Sequence, residues 1–328
     1  MSLIGTTAVT LADIAKRTDP GGKIDAIVEM LSQTNEVLED MPFVEGNLPT
    51  GHKTIIRTGL PTAAWRLLNY GVPQSKSQTQ PVVDTCGMLE AYAEVDKALA
   101  DLNGNAASFR LSEDRAFLEA MNQEMATTLF YGDTAKNPER FLGLSARYPS
   151  LDKGKSRTAE NVIDAGGTAA NKPTSIWLIA WGDQTVHGIY PKGSKAGFTH
   201  TDRGQVTLFD PNNNKYEGYR THYKWDIGLT LRDWRYAVRV ANIDLASITD
   251  EKLVECLVAA TEILPNQKMG RAVFYMNRQA RTRLRNALRR STNVHLSLAE
   301  AAGKSVLSFD EIPVKRCDAL LNTEAKVV

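Results

Sequence analysis

The chain has 328 residues, 42% of them hydrophobic and 23% charged, which excludes a disordered polymer and allows one elaborate domain or two to three subdomains. Lys and Arg number 39 against 38 Asp and Glu, a net charge of +1. That balance lacks the basic excess of a dedicated nucleic-acid binder and leaves little self-repulsion if many copies pack together.

From the N-terminus, residues 9–39 read as two short helices separated by the turn "DPGG" at 19–22, with Thr10 as an N-cap for the first. They carry too few apolar residues for a core and form a light arm. Residues 44–95 change character. Strand-like pieces at Thr54–Thr58 and Trp65–Asn69 precede a second limb, Pro81–Asp96, with the polar run "VPQSKSQTQP" between. The expectation is a long β-hairpin arm with a polar tip. An isolated two-stranded ribbon is marginal in water, so it needs a surface to lie on.

Residues 112–131 predict a long helix. Ser112 is a suitable N-cap, Glu113 and Asp114 complement the helix start, and Phe117, Met121, Met125 and Leu129 form one stripe beside Ala120 and Thr128. Gly132 ends it. A loop then leads to "FLGL", and 152–174 reads as polar loop. "SIWLIAWG" and "TVHGIYP" read as a buried hairpin about Asp183-Gln184. "KGSKAGFTHTDRGQ" and "DPNNNKYEG" read as loops. A helix capped by Thr249 follows, with Leu253, Leu257, Val258 and Ile263 on one side. "GRAVFYMN" predicts a short buried strand, "RQARTRLRNALRRS" a basic helix, and the end closes with strands around Pro313. No internal repeat is present.

The segment "YKWDIGLTLRDWRYAVRVANID", 223–244, alternates for about twenty residues, whereas ordinary strands run roughly 5–6. Trp225, Ile227, Leu229 and Leu231 lie on one face; after Asp233, Trp234, Tyr236, Val238 and Val240 lie on the other. A period-2 element cannot keep one flat face to one core and do this. Either a bulge sits near Arg232–Asp233, or the strand passes from one packing partner to another. A continuous strand would be roughly 60 Å long, too long for a compact domain.

Catalytic signatures are missing. "GKS" at 154–156 and 303–305 lacks the first glycine of a P-loop, Pro149 and Leu298 standing there, and no GxGxxG, HExxH or GxSxG occurs. The histidines, His52, His187, His200, His222 and His295, have no ligand spacing beyond His200 with Asp202, read as a solvated loop. "DPNNNKYEG" lacks the order of a Ca²⁺ loop. No cofactor, metal or catalytic residue is expected. Cys86, Cys256 and Cys317 form no CxxC pair and read as buried free thiols in a reducing compartment. Trp177, Trp181, Trp225 and Trp234 read as core or interface anchors. The N-terminus has no signal-peptide pattern and no run of eighteen apolar residues exists, so a soluble protein made in a cytoplasm is expected. Arg278, Arg281, Arg285 and Arg289 share one face of the basic helix, beside an apolar stripe of Leu284, Ala287 and Leu288. The face is either solvated and salt-bridged or a contact for an acidic partner or DNA phosphates.

The order of these pieces, with "FYGDTAKNPERFLGLSARY" and "SIWLIAWGDQTVHGIYPKGSKAG" as its most specific segments, resembles the major capsid proteins of tailed bacteriophages with the Hong Kong 97-type fold. It is most similar to those of short-tailed phages of the Bordetella-phage and epsilon-type groups, over nearly the whole chain. The resemblance implies an α+β fold: an N-arm (1–43), an extended E-loop (44–95), a P domain (96–139 and 216–249, spine helix 112–131) and mainly A domain (140–215 and 250–328). It implies hexamers and pentamers in an icosahedral shell around double-stranded DNA, assembled in a bacterial cytoplasm, with a decoration protein and a portal as further partners and no membrane. Lys53, Arg57, Trp65, Lys76 and Gln78 are then inter-subunit contact candidates. Family members that crosslink the E-loop use a Lys–Asn pair in an acidic site; Lys53 and Lys76 have no identifiable partner and read as solvated. No long scaffolding segment precedes the arm, so no cleaved region is expected. An encapsulin-like compartment protein, another phage structural protein and an α/β enzyme are the competing readings.

Overall fold

The computed structural model describes residues 33, 35–102, 106–168, 172–290, 296–301 and 304–328, without the side chains of 288–290, 296–301 and 304–306. Of the span 9–39 expected as two helices, residues 9–32 and 34 lie outside the described residues. Helix α1 is Val37–Asp40, followed by strands β1 (Phe43–Glu45), β2 (Gly51–Gly59) and β3 (Gln78–Asp96). Helices α2 (Lys97–Asp101), α3 (Ala106–Tyr131) and α4 (Leu144–Arg147) come next. Then follow β4 (Val162–Asp164), β5 (Thr174–Trp181), β6 (Val186–Tyr190), β7 (Phe198–Phe209), β8 (Lys215–Leu231) and β9 (Ala237–Ile243). Helix α5 (Asp250–Ile263), β10 (Arg271–Met276), α6 (Arg278–Arg290), β11 (Leu296–Ala301), β12 (Lys304–Phe309) and β13 (Ile312–Arg316) complete the chain.

The strands form two ladders that meet at one point. In the core ladder β5 is central, antiparallel to β9 on one side and β10 on the other; β4 extends it beyond β9, and β13, β12 and β11 beyond β10. Every residue of β5 is buried, which is why "TSIWLIAW" shows no alternation: both faces are covered. Leu253 and Leu257 of α5 and Leu284 of α6 join the same core. In the outer ladder β8 is central, antiparallel to β3 and to β7 and β6. The single link between ladders is Trp181 with Val186. "SIWLIAWG" and "TVHGIYP" are therefore not a hairpin. A tight turn, with Thr185 N donating to Gly182 O at 3.1 Å, steps the chain from one ladder to the other.

The alternation of 223–244 breaks for the same reason. β8 ends at Leu231, a 3-10 turn covers Trp234–Tyr236, and β9 continues in the core ladder. Of the two alternatives, change of packing partner is the one realised, and 223–244 is not one continuous strand. Asp233 caps the turn by accepting from Arg235 N at 3.1 Å. Asn161 Nδ2 donates to the carbonyls of Arg235 (3.0 Å) and Ala237 (2.9 Å), so the corner leaves few backbone groups unpaired.

Helix α3 is longer than its sequence signals. It starts at Ala106, which puts Ser112 inside it. The cause is tertiary: Phe109 is buried with Val95 and Ala100, and that contact carries the helix past its local cap. Its stripe packs as expected at Met121, Met125, Thr128 and Leu129, with Phe117 half-buried and Ala120 exposed. The polar segment 152–174 holds a 3-10 turn, Arg157–Asn161, and β4 rather than loop alone.

Candidate assembly surfaces

β2 and the first half of β3 form a ribbon paired from Gly51–Thr85 to Gly59–Gln78. From Cys86 onward β3 leaves β2 and pairs with β8, so the hairpin that projects is shorter than the 44–95 expected. Towards its far end the outgoing limb is tied to the body by Arg157 Nη1, which donates to Thr58 O at 3.2 Å. Between the limbs, residues 60–77 form an exposed loop. Trp65–Asn69, expected as strand, lies in this loop. In place of the polar tip expected at 72–81, the tip is apolar. Trp65 is fully exposed, Leu68 is 85% and Leu60 80% exposed, and Leu67, Tyr70 and Val72 are exposed with them. The loop has order of its own. Ser75 Oγ donates to Thr62 O at 2.9 Å, Tyr70 N to Leu67 O at 3.1 Å, and Asn69 adopts a left-handed φ of 68°. Six large apolar side chains held in water are an unmet burial, the mark of a binding surface rather than of a monomer's loop.

The contact candidates Lys53, Arg57, Trp65, Lys76 and Gln78 all lie on this hairpin and all face solvent. Residues 46–83 contain Lys53, Arg57, Arg66 and Lys76 and no acidic residue, which leaves 35 basic against 38 acidic residues in the rest of the chain. The hairpin is thus an apolar hook on a basic shaft.

Its root is polar and buried. Asp84 on β3, opposite His52 on β2, accepts from Arg147 at 2.8 Å and from the Thr230 hydroxyl. His52 and His187 of β6 are buried, with ring centroids 6.3 Å apart, and the Arg232 guanidinium lies beside them. Burial first, and the Arg232 charge second, holds both imidazoles below their ordinary 6.5, His187 at about 4. Their neutral forms are the ones packed here. The root is therefore most stable above pH 6.5 and loses stability as pH falls from 6.5 toward 4. We expect root opening, read by amide exchange of 51–59 and 78–86 after correction for intrinsic rates, to rise by up to about tenfold per pH unit in that window. In His187→Gln the slope is expected to fall; an unchanged slope would show that His187 does not set it.

The basic helix divides its arginines. Arg278 lies 3.6 Å from Asp318, Arg281 is half-buried, Arg285 is exposed, and the Arg289 side chain lies outside the described residues. Arg283, off the expected face, pairs with Asp250 at 3.0 Å and donates to the carbonyls of Leu245 and Ile248. Arg283 thus fastens α6 to the start of α5, and Arg278 ties it to Asp318. An open cleft of about 530 Å³ remains there, lined by Arg278, Gln279 and Thr282. Among the described residues, no cluster of His, Cys, Asp and Glu is arranged to hold a metal, and no helix is long and apolar enough to cross a membrane.

A family model, major capsid protein GP7, matches residues 19–328. The chain belongs to that family. This capsid protein is also 36% identical to a chain in the structure of bacteriophage epsilon15, with a TM-score of 0.77 over 100% of this chain and 99% of that one. The bacteriophage JBD30 capsid is similar in fold alone, at 9% identity and a TM-score of 0.51, covering 89% and 93%. An encapsulin complex from Synechococcus elongatus PCC 7942 is more remote, at 11% identity and a TM-score of 0.46. A search of curated proteins returned no match. The fold is the Hong Kong 97-type α+β capsid fold, and the resemblance to epsilon-type capsid proteins holds. As a phage major capsid protein, the chain builds the shell of a virion as an assembly of copies.

Two parts of these surfaces escaped the sequence analysis. The tip had a signal: "LPTAAWRLLNYGVP" is an apolar run without period 2, bracketed by Gly59-Leu60-Pro61 and Gly71-Val72-Pro73. The root had none. Its members come from β2, β3, α4, β6 and the end of β8, and only the topology brings them together.

Proposed function

We propose that this capsid protein assembles as hexamers and pentamers into an icosahedral shell enclosing double-stranded DNA, assembled in the host cytoplasm, and that it works mechanically rather than as an enzyme. In this reading the hairpin is the E-loop, residues up to 43 are the N-arm, α3 is the spine of a P domain with 96–139 and 216–249, and the remainder is mainly A domain. The observation that carries it is the apolar, fully solvated hairpin tip on an otherwise well-packed chain. A hook that fits no pocket of its own body makes a head-to-tail contact, and such contacts close into rings. Spreading burial over several modest patches lets an early shell correct errors before it tightens. The arginine face of α6 is the surface offered to DNA phosphates or an acidic partner; a portal and a decoration protein complete the particle.

The test is direct. The expressed protein, by negative-stain microscopy, is expected to give closed isometric particles, and virions to hold nuclease-resistant duplex DNA bounded by this protein. A chain that remains a monomer or small oligomer at high concentration would overturn the reading.

A further inference from the structure

The polar root of the hairpin holds more buried donors than its protein partners satisfy. His187 of β6 is fully buried, and neither of its ring nitrogens has a protein partner; the Gly182 carbonyl beside it falls outside hydrogen-bond geometry. His52 of β2 is also buried, with Nδ1 unpaired. The Nε of Arg232 is buried and unpaired too, and its Nη1 reaches only Gln184 Oε1, at 3.4 Å. Buried polar groups are almost always paired, so unpaired nitrogens on three neighbouring side chains call for a small ligand.

The charges of the root do not cancel either. Asp84 is engaged by Arg147 at 2.8 Å and by the Thr230 hydroxyl, and Arg232 has no ion pair among the described residues. Asp183, the other carboxylate near His187, lies on the exposed turn between β5 and β6. Arg147 and Arg232 against Asp84 leave the buried root with a positive charge in excess. A water would pair with the nitrogens but would not balance Arg232. A metal ion would need imidazole lone pairs beside a guanidinium that repels it, and no metal cluster occurs among the described residues. An anion meets both needs: each neutral imidazole offers it one N–H, and the guanidinium offers a charge-assisted one. The two rings stand 6.3 Å apart, edge to face, a spacing that suits a monatomic ion better than a tetrahedral oxyanion.

We propose that the hairpin root is a halide site, binding chloride between His52, His187 and Arg232. The site is independent of the shell reading above and adds to it a ligand. Its position gives it a role. His52 belongs to β2, His187 to β6, and Arg232 follows the end of β8, so the ion ties the first limb of the hairpin to the body where the hairpin leaves it. The groups facing the imidazoles are Arg232, Asp84 with its partner Arg147, and Asp183. Proton uptake by either imidazole adds a donor and a positive charge beside the ion. Chloride affinity therefore rises as pH falls, by up to about tenfold per pH unit for each proton taken up. By the same linkage chloride opposes the loosening of the root in acid.

Quadrupolar broadening of the chloride NMR signal tests it on the full chain, with gluconate holding ionic strength constant, at about pH 7.5 and about pH 5.5, on either side of the ordinary histidine value. The expected result is excess broadening that saturates at one ion per chain, is displaced by bromide, and reflects an affinity at least threefold higher at the lower pH. Arg232→Gln, with circular dichroism matching the parent, is expected to abolish it. No excess broadening in the parent, or equal broadening in parent and folded variant, would overturn the site and leave water at the root. If Arg232→Gln does not fold, the parent decides alone: broadening that neither saturates nor yields to bromide would overturn the proposal. The role is read separately. At the lower pH, amide exchange of 51–59 and 78–86 is expected to be at least threefold slower in chloride than in gluconate, and equal exchange would show that no ion fastens the hairpin there.

Discussion

Replacing Trp65 and Leu68 together by alanine is expected to leave a folded chain that does not close into shells at concentrations where the parent does. Both side chains are solvated in the single chain, so their loss removes nothing from its core. An aromatic of this size buries on the order of 200 Å², worth about 5 kcal/mol of gross transfer energy at roughly 25 cal/mol per Å². Side-chain ordering and imperfect desolvation take part of that away, and a central aromatic anchor typically retains 2 kcal/mol or more. In the proposed rings each copy would donate one tip and receive another, so every subunit would feel the full loss. For the two residues together we expect the assembly threshold to rise by about a hundredfold or more, since each 1.4 kcal/mol is about tenfold. Circular dichroism and thermal unfolding of the unassembled chain are expected to match the parent. Sedimentation or light scattering against concentration reads the threshold, and an unchanged threshold would show that the tip is not an assembly contact.

The second large effect is on folding. Glu324, near the C-terminus, accepts from Arg239 Nη2 at 2.8 Å, from Ser175 Oγ at 2.5 Å and from the Tyr131 hydroxyl at 2.6 Å. Both members of the ion pair are about 95% buried, and Arg239 also stacks over Trp177 and donates to Tyr148 O. The network therefore fastens the last residues to β5, β9 and the end of α3. Glu324→Ala leaves an unpaired buried guanidinium, a loss of about 3–5 kcal/mol by analogy with other broken buried pairs. The melting temperature of the unassembled chain is expected to fall by on the order of 10 °C. Replacing both partners by apolar residues, Arg239→Met with Glu324→Leu, is expected to recover much of the loss, because no charge is then stranded. If the double variant melts no higher than the single one, hydrogen bonding to Ser175 and Tyr131 matters more than the charge pair. Assembly at low temperature should survive either change, which separates this effect from that of the tip.

The elements with a strong local period were legible from the chain alone. Helices α5 and α6 and the stripe of α3 follow from spacing, because a single buried face dictates each, and strand β10 follows from a short apolar run buried at four successive residues. The Thr249 cap does what its position suggested, accepting from Lys252 N at 3.2 Å. Elements decided by distant contacts were not legible. The start of α3 depends on Phe109 meeting Val95, and the step between β5 and β6 depends on two ladders lying side by side. The inversion at Asp233 was visible as a violation of period 2, and it marked a real corner. The hairpin reads as an arm, but the usual polarity of solvated loops points to the run 72–81 as its tip. "WRLLNY" breaks that rule; its apolar residues are unsatisfied in the single chain. The arginines of α6 illustrate the converse: a face that looks like a basic patch in sequence is in part structural, through Arg278 with Asp318 and Arg283 with Asp250.

Amide exchange across residues 60–77, compared between assembled shells and subunits freed from them, puts the idea of a hook completed by its neighbour to the sharpest trial. Protection in shells is expected to exceed that in free subunits by at least tenfold around Trp65–Tyr70. Equal exchange in both states would mean that the tip stays in water after assembly, and that something else holds the copies together.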